Sequence, residues 1–144
     1  MARYVGKVTS RKSIEEVFAY MADFSNVSEW DPSAVEARSL DDPGGPSHGS
    51  RFAVTSEFLG RQVPLTYEIT EIDPPRRVLL RAESDAVISV DEMTLRTLPE
   101  VGTELTYDAD LRLKGARRLL DPLFGIAFRR LCERARERMG EVLG

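Results

Sequence analysis

Asp91, Tyr67 and Tyr107 are the side chains whose type and placement suit acid or base work in an apolar interior. In VISVDEMTLRTL, at 87–98, reading Glu92, Thr94 and Arg96 as outward turns Ser89, Asp91, Met93 and Leu95 inward by the two-residue period of a strand. Asp91 is then the one carboxyl on an apolar sheet face. Desolvation there raises its pKa toward the range useful to a general acid or base. Two structural alternatives stand beside this: a local bulge that turns Asp91 outward, or a backbone amide that binds its carboxylate. Ser56, Ser84 and Ser89 join the two tyrosines as hydroxyls able to orient a polar ligand head, because pockets are mostly apolar with a few convergent polar groups. Each also fits an ordinary structural role.

Other chemistries are narrowed by composition. The chain has one cysteine and one histidine in 144 residues, so an internal disulfide, a cysteine-rich zinc site and a His-rich metal centre are excluded. A Ser-His-Asp triad would rest on His48, which sits in the turn-rich segment DDPGGPSHGS. Cys132 has no base near it in the sequence and reads as a small buried residue. No glycine-rich phosphate loop occurs, and no cofactor is expected. The formal charge of -4 divides into +5 over residues 112–144 and -9 over the rest. Within RRLCERARER at 129–138, Glu133 is spaced to pair with Arg129 and Arg136, and Glu137 with Arg134. That pattern is a solvated helix face without stacking aromatics, so no nucleic-acid partner is expected. No window approaches the roughly 20 apolar residues of a membrane span. The N-terminal residues lack the apolar core of a signal peptide, and the expected location is the cytoplasm.

The elements that must position these groups follow from periodicity. Residues 2–10 alternate as a strand with Tyr4, Gly6 and Val8 on one side. Ser13 and Glu16 have capping-box spacing, and Ile14, Val17, Phe18 and Met21 form the stripe of a short helix. Asp23 is a second N-cap, and the helical turns after it stop at Asp31-Pro32. Six strands are expected at about 34–41, 49–59, 62–73, 76–84, 87–98 and 102–113, joined by short turns into an antiparallel meander. From Ala116 to Leu143 the period becomes 3.6, with Leu120, Leu123, Ala127, Leu131, Ala135, Met139 and Val142 as the apolar stripe and Pro122 as a kink or restart.

This order is that of an α+β helix-grip fold: a curved seven-stranded antiparallel sheet wrapped around a long C-terminal helix, with two short helices between strands 1 and 2. FAYMADFSNVSEWDP at 18–32 and YEITEIDPPRRVLLR at 67–81 resemble the two signature stretches of the SRPBCC superfamily, and within it the polyketide cyclase and dehydrase family of START-like lipid-transport domains. VGTELTYDADLRLKG and the terminal helix resemble the family's last hairpin and helix, so the resemblance spans one domain, residues 1–144. It implies a deep hydrophobic pocket for lipids, sterols, polyketides, quinones or plant hormones, with chemistry in some members and none in others. Cyclases of this kind depend on arginine and tyrosine inside the cavity. Here Tyr67 and Tyr107 are the interior tyrosines, while alternation turns Arg51, Arg81, Arg96 and Arg112 outward.

The first functional expectation is a carrier or sensor of a small hydrophobic molecule held between sheet and terminal helix. Its expected contacts are Trp30, Phe52, Val54, Ser56, Tyr67, Leu80, Met93, Tyr107, Leu123, Phe124 and Ala127. Trp30 fits a plug between helix and sheet as well as a pocket wall. The alternative is a polyketide cyclase/dehydrase-type enzyme in the same cavity, with Asp91, Tyr67 and Tyr107 as catalytic groups. A third concerns Leu119, Leu120, Leu123, Phe124, Ile126 and Phe128, an apolar cluster wider than one stripe and flanked by Arg117, Arg118, Arg129 and Arg130. It fits a transient membrane contact, or core plus a homodimer contact.

Overall fold

The computed structural model describes residues 2–41, 45–58, 60–115 and 121–144, with the backbone alone at 58 and 121–123. Strand β1 (Ala2–Ser10) leads into helix α1 (Ile14–Ala22), a 3₁₀ turn (Phe24–Asn26) and helix α2 (Val27–Trp30). Strands β2 (Ala34–Ser39), β3 (Arg51–Phe58), β4 (Arg61–Asp73), β5 (Arg77–Glu83), β6 (Val87–Leu98) and β7 (Gly102–Leu113) follow, and helix α3 (Asp121–Leu143) ends the fold. The seven strands form one antiparallel sheet in the order β1-β7-β6-β5-β4-β3-β2, so the first strand closes against the last. Register shifts between Ala34 and Glu36 and between Ile69 and Glu71 help the sheet curl around the helices.

Local chemistry sets the ends of these elements. Ser13 caps α1 by accepting from the Glu16 N–H at 3.2 Å, and donates its own hydroxyl proton to the Glu16 carboxylate. Asp23 caps the following turn by accepting from the Ser25 N–H, also at 3.2 Å. Gly102 opens β7 at φ +139°, where an added Cβ would lie 2.1 Å from the Ser10 carbonyl oxygen. Only glycine lets the last hairpin approach the end of β1 so closely. Gly6 has a similar role inside β1, leaving room for the Tyr4 hydroxyl and the Arg136 stem of α3.

The alternation expected of the sheet is present. Phe52, Val54, Leu65, Tyr67, Ile69, Val78, Leu80, Met93, Leu95, Leu105 and Tyr107 form one core with Val17, Met21, Phe24 and Trp30 of the helical segment. Arg51, Arg81, Arg96 and Arg112 face outward, each beside an acidic partner: Asp41, Glu83, Glu104 and Asp110.

The stripe of α3 differs from the expected one. Phe124, Phe128, Cys132, Ala135, Met139 and Leu143 are buried, whereas Ala127 is exposed and Leu131 and Val142 are half-buried. The helix is turned by about one residue, or 100°, relative to expectation. Both phases share Ala135 and Met139, and the observed one buries two phenylalanine rings where the other offers Ala127. A larger apolar area removed from water favours it. Pro122 is the second residue of the described range of α3. Leu119, Leu120, Arg117 and Arg118 lie outside the described residues, as does the side chain of Leu123.

Candidate functional site: a closed polar chamber under the last helix

The sheet's register brings its interior polar groups together. Tyr67 on β4 stands opposite Ala82 on β5, and Ala82 stands opposite Ser89 on β6. The small alanine lets the tyrosine reach across one strand, and its hydroxyl shares a 2.7 Å hydrogen bond with that of Ser89. Asp91 is likewise flanked by Leu80 and by the short side chain of Ala109. Tyr107 lies between Met93 and Gly6 in its neighbouring strands.

From the other side, α2 ends at Asp31, whose Oδ1 accepts from the N–H and the hydroxyl of Ser33, both at 2.8 Å. Ser33 is tied in turn to β3, because its carbonyl accepts from the Glu57 N–H at 2.8 Å. Phe128, Leu131, Cys132 and Ala135 of α3 close the top. Between them lies a chamber of about 30 Å³, room for one or two water molecules, with Ser56, Ala109 and Leu111 completing its wall. Larger depressions lie outside the sheet. One of about 430 Å³ runs over the outward face of β1, β7, β6 and β5. It is open and rimmed by side chains already ion-paired, such as Arg3 with Asp108, so its size carries less than the chamber's buried polar groups.

Burial governs the chamber's electrostatics. Asp91 is 7 % exposed, and among the described residues its carboxyl makes no hydrogen bond. Desolvation, then the charges of Asp31 and Asp108, push its pKa up to about 8, so it is protonated at neutral pH. Desolvation also raises Asp31, whose carboxyl is turned inward, but the two Ser33 hydrogen bonds and the Arg138 charge oppose the shift. Asp31 is therefore the group of the two that holds negative charge better. Tyr67 and Tyr107 are pushed well above the usual phenol range, by burial first and then by the Asp91 charge. Tyr107 is 3 % exposed, and its hydroxyl has no hydrogen-bond partner among the described residues. The Cys132 thiol is raised by the same burial, which leaves it a poor nucleophile.

Of the residues expected at the site, Asp91, Tyr67, Tyr107 and Ser56 line the chamber, and so does Ser89. Phe52, Val54, Leu80 and Met93 are buried in the packed core beneath it and do not line it. Trp30 packs edge-on to Phe24 and Tyr107, with ring centroids 6.0 and 5.5 Å away, so it stands behind the wall. Phe124 stacks on Phe128, which is the lining ring of the two. Ala127 points away from the chamber, being on the exposed side of α3. Ser84 accepts from the Ala86 and Val87 N–H groups in the β5–β6 turn and lies outside the site. Of the expected apolar surface cluster, Phe124 and Phe128 turn inward and Ile126 is 54 % exposed. Asp31, Ser33 and Cys132 are site residues the periodicity did not single out. The Asp-x-Ser spacing after Trp30, an Asx-turn pattern, was the available signal for the first two. Among the described residues no cluster of His, Cys, Asp and Glu is arranged to hold a metal ion, and no helix is long and apolar enough to cross a membrane.

The fold is shared with solved structures at low sequence identity. A START superfamily protein from Mycobacterium smegmatis superposes with a TM-score of 0.72 at 16% identity, covering 99% of both chains. A protein of unknown function from Staphylococcus aureus gives 0.71 at 13% identity over 99% of this chain and 93% of that one. One from Thermus thermophilus gives 0.68 at 16% identity, again over 99% of both. The search of curated proteins finds no match. The family described as polyketide cyclase / dehydrase and lipid transport matches residues 1–144, and with its helix-grip sheet closed over an internal polar chamber the chain belongs to that family.

Proposed function

We propose that the protein binds a small hydrophobic molecule between the sheet and α3, as a carrier or sensor, with the ligand's polar end meeting Asp91, Tyr107 and Tyr67. One observation carries this reading: a carboxyl and a phenol, both deeply buried, face a shared space with no hydrogen-bond partner among the described residues. Unsatisfied buried polar groups cost on the order of 1–3 kcal/mol each, and a ligand that satisfies them recovers that cost. Family membership supports the same reading. With room for only one or two waters, the chamber is the closed state, and a ligand enters by displacing the Phe128 and Leu131 side of α3. Phe124, stacked on Phe128, then belongs to the moving wall.

A second reading, a polyketide cyclase/dehydrase-type enzyme in the same chamber, is favoured by the neutral carboxyl of Asp91 beside Tyr107, a proton donor in a dry site. Substitution Asp91→Asn separates the two: under the enzyme reading turnover is lost with affinity kept, and under the carrier reading only affinity and specificity change. The test of the main proposal is native mass spectrometry of freshly purified protein, followed by denaturing extraction. One apolar molecule per chain, released on denaturation, is the expected result. A protein that emerges empty, and whose Cys132 labelling rate is unaltered by any of a panel of apolar probes, would overturn it.

A further inference from the structure

Resting on that reading, we infer that the chamber is built for a ligand whose polar end is a protonated amine. Two carboxyls, Asp31 and Asp91, face it, together with the rings of Tyr67, Tyr107 and Phe128. Among the described lining residues there is no Lys, Arg or His. Among the described residues the charged groups acting on Asp91 are Asp31 at the end of α2 and Asp108 on β7, both acidic, and the neighbouring Tyr67, Tyr107 and Cys132 are neutral. Among the described residues Arg138 on α3 is the one cation acting on the pair, and it does so through Asp31. Its guanidinium donates to the Glu29 carbonyl at 2.9 Å, on the α2 side.

A carboxylate or phosphate head placed here would meet two acids. A neutral acceptor such as a ketone would satisfy Asp91 only while Asp91 keeps its proton, and a hydroxyl brings no charge to balance the carboxylate once the proton is lost. An ammonium group supplies the missing cation, is about the size of a water and so fits a chamber of about 30 Å³, and is attracted to aromatic faces as well as to carboxylates. The hydrocarbon part then occupies the space vacated by Phe128 and Leu131.

The proton balance distinguishes these cases. When an ammonium ion enters, the Asp91 carboxyl loses its proton to the buffer and becomes the carboxylate of an ion pair, with no covalent bond formed or broken. With Asp91 titrating at about 8, close to 0.9 proton leaves per ligand bound at pH 7. A ketone or alcohol of equal length leaves the proton in place.

Decylamine, 2-decanone and decanoate, titrated calorimetrically at pH 7 in phosphate and in Tris, provide the test. Decylamine is expected to bind at least about tenfold more tightly than the other two and to release nearly one proton, a buffer-dependent heat the ketone lacks. Asp91→Asn should abolish the proton release and remove the preference for decylamine over 2-decanone, with a single cooperative urea transition showing that the variant is folded. Binding of 2-decanone or decanoate as tightly as decylamine, or decylamine binding without proton release, overturns the inference and leaves the ligand site standing. Binding of none of the three, in a protein that also carries no molecule from its source, overturns both.

Discussion

A buried carboxylic acid without a hydrogen-bond partner makes folding depend on pH in a definite direction. The folded chain keeps the Asp91 proton up to about pH 8, against a reference value of 3.8 when solvated. Between those values the folded state binds a proton the unfolded state has lost, so stability is greatest at the acidic end and falls as pH rises. The slope from one such group approaches about 1.4 kcal/mol per pH unit, or roughly 2–3 kcal/mol between pH 5 and 7. Asp31, also raised, acts in the same direction more weakly because Ser33 and Arg138 favour its charge. Urea unfolding at pH 5, 6 and 7 should therefore show a declining midpoint for the native sequence and a flatter one for Asp91→Asn, which is also more stable at pH 7. Equal slopes for the two would mean that Asp91 is ionised in the folded protein. Trp30 makes a different prediction. Its ring is 1 % exposed and packs on Phe24 and Tyr107, so Trp30→Ala should cost about 3–5 kcal/mol, read as a lowered urea midpoint at every pH. The inward placement of Asp91, Tyr67 and Tyr107 was legible because a period of two leaves only two choices and the apolar neighbours decide between them. The role of Asp31 was not: its burial depends on where the end of α2 lands over β3, a contact fixed by the Glu57 to Ser33 hydrogen bond and absent from any local pattern.

Elements carry their own predictions through two glycines of opposite kind. At Gly125 an added Cβ meets nothing within 4 Å, and the residue sits in the helix α3. Gly125→Ala should therefore stabilise by about 0.5–1 kcal/mol, seen as a rise of roughly 2–3 °C in Tm. At Gly102 the added Cβ lies 2.1 Å from the Ser10 carbonyl oxygen, and φ is +139°. Gly102→Ala must push the β7 start away from the end of β1, with a loss of about 2–4 kcal/mol and a Tm lower by several degrees. A neutral Gly102→Ala would show that this approach is not needed. The strands and both short helices were readable because turn residues and alternation agree at each boundary. The phase of α3 was not readable, because Leu123, Ala127 and Leu131 form one apolar column and Phe124, Phe128 and Cys132 form the next. A helix with two adjacent columns is oriented by the surface it meets, and that surface is made by strands far away in sequence.

For the whole molecule, the distribution of hydrogen bonds along α3 determines how a closed chamber can admit a ligand. The second half of the helix is fastened at several points. The Tyr4 hydroxyl donates to Glu133, which Arg136 also holds, and Arg138 donates to the Glu29 carbonyl. Ser10 Oγ donates to the Leu143 carbonyl and the Arg11 N–H to that of Gly144, at 3.1 and 3.2 Å. The first half meets the chamber through the apolar side chains of Phe128 and Leu131. Opening there, with residues from 133 onward still docked, exposes far less surface than global unfolding and has a smaller free energy. Cys132 marks the boundary: it lines the chamber, is 3 % exposed and is the only thiol in the chain. Its reaction with a thiol reagent should therefore proceed through local opening, with a rate that changes little with urea below the unfolding transition. Phe128→Ala should accelerate that labelling by more than its effect on the global midpoint explains, because it removes packing lost in the local event. A labelling rate that rises with the full equilibrium m value from the lowest urea onward would show that the helix leaves the sheet only when the whole fold does, and the route of entry proposed for the ligand would be closed.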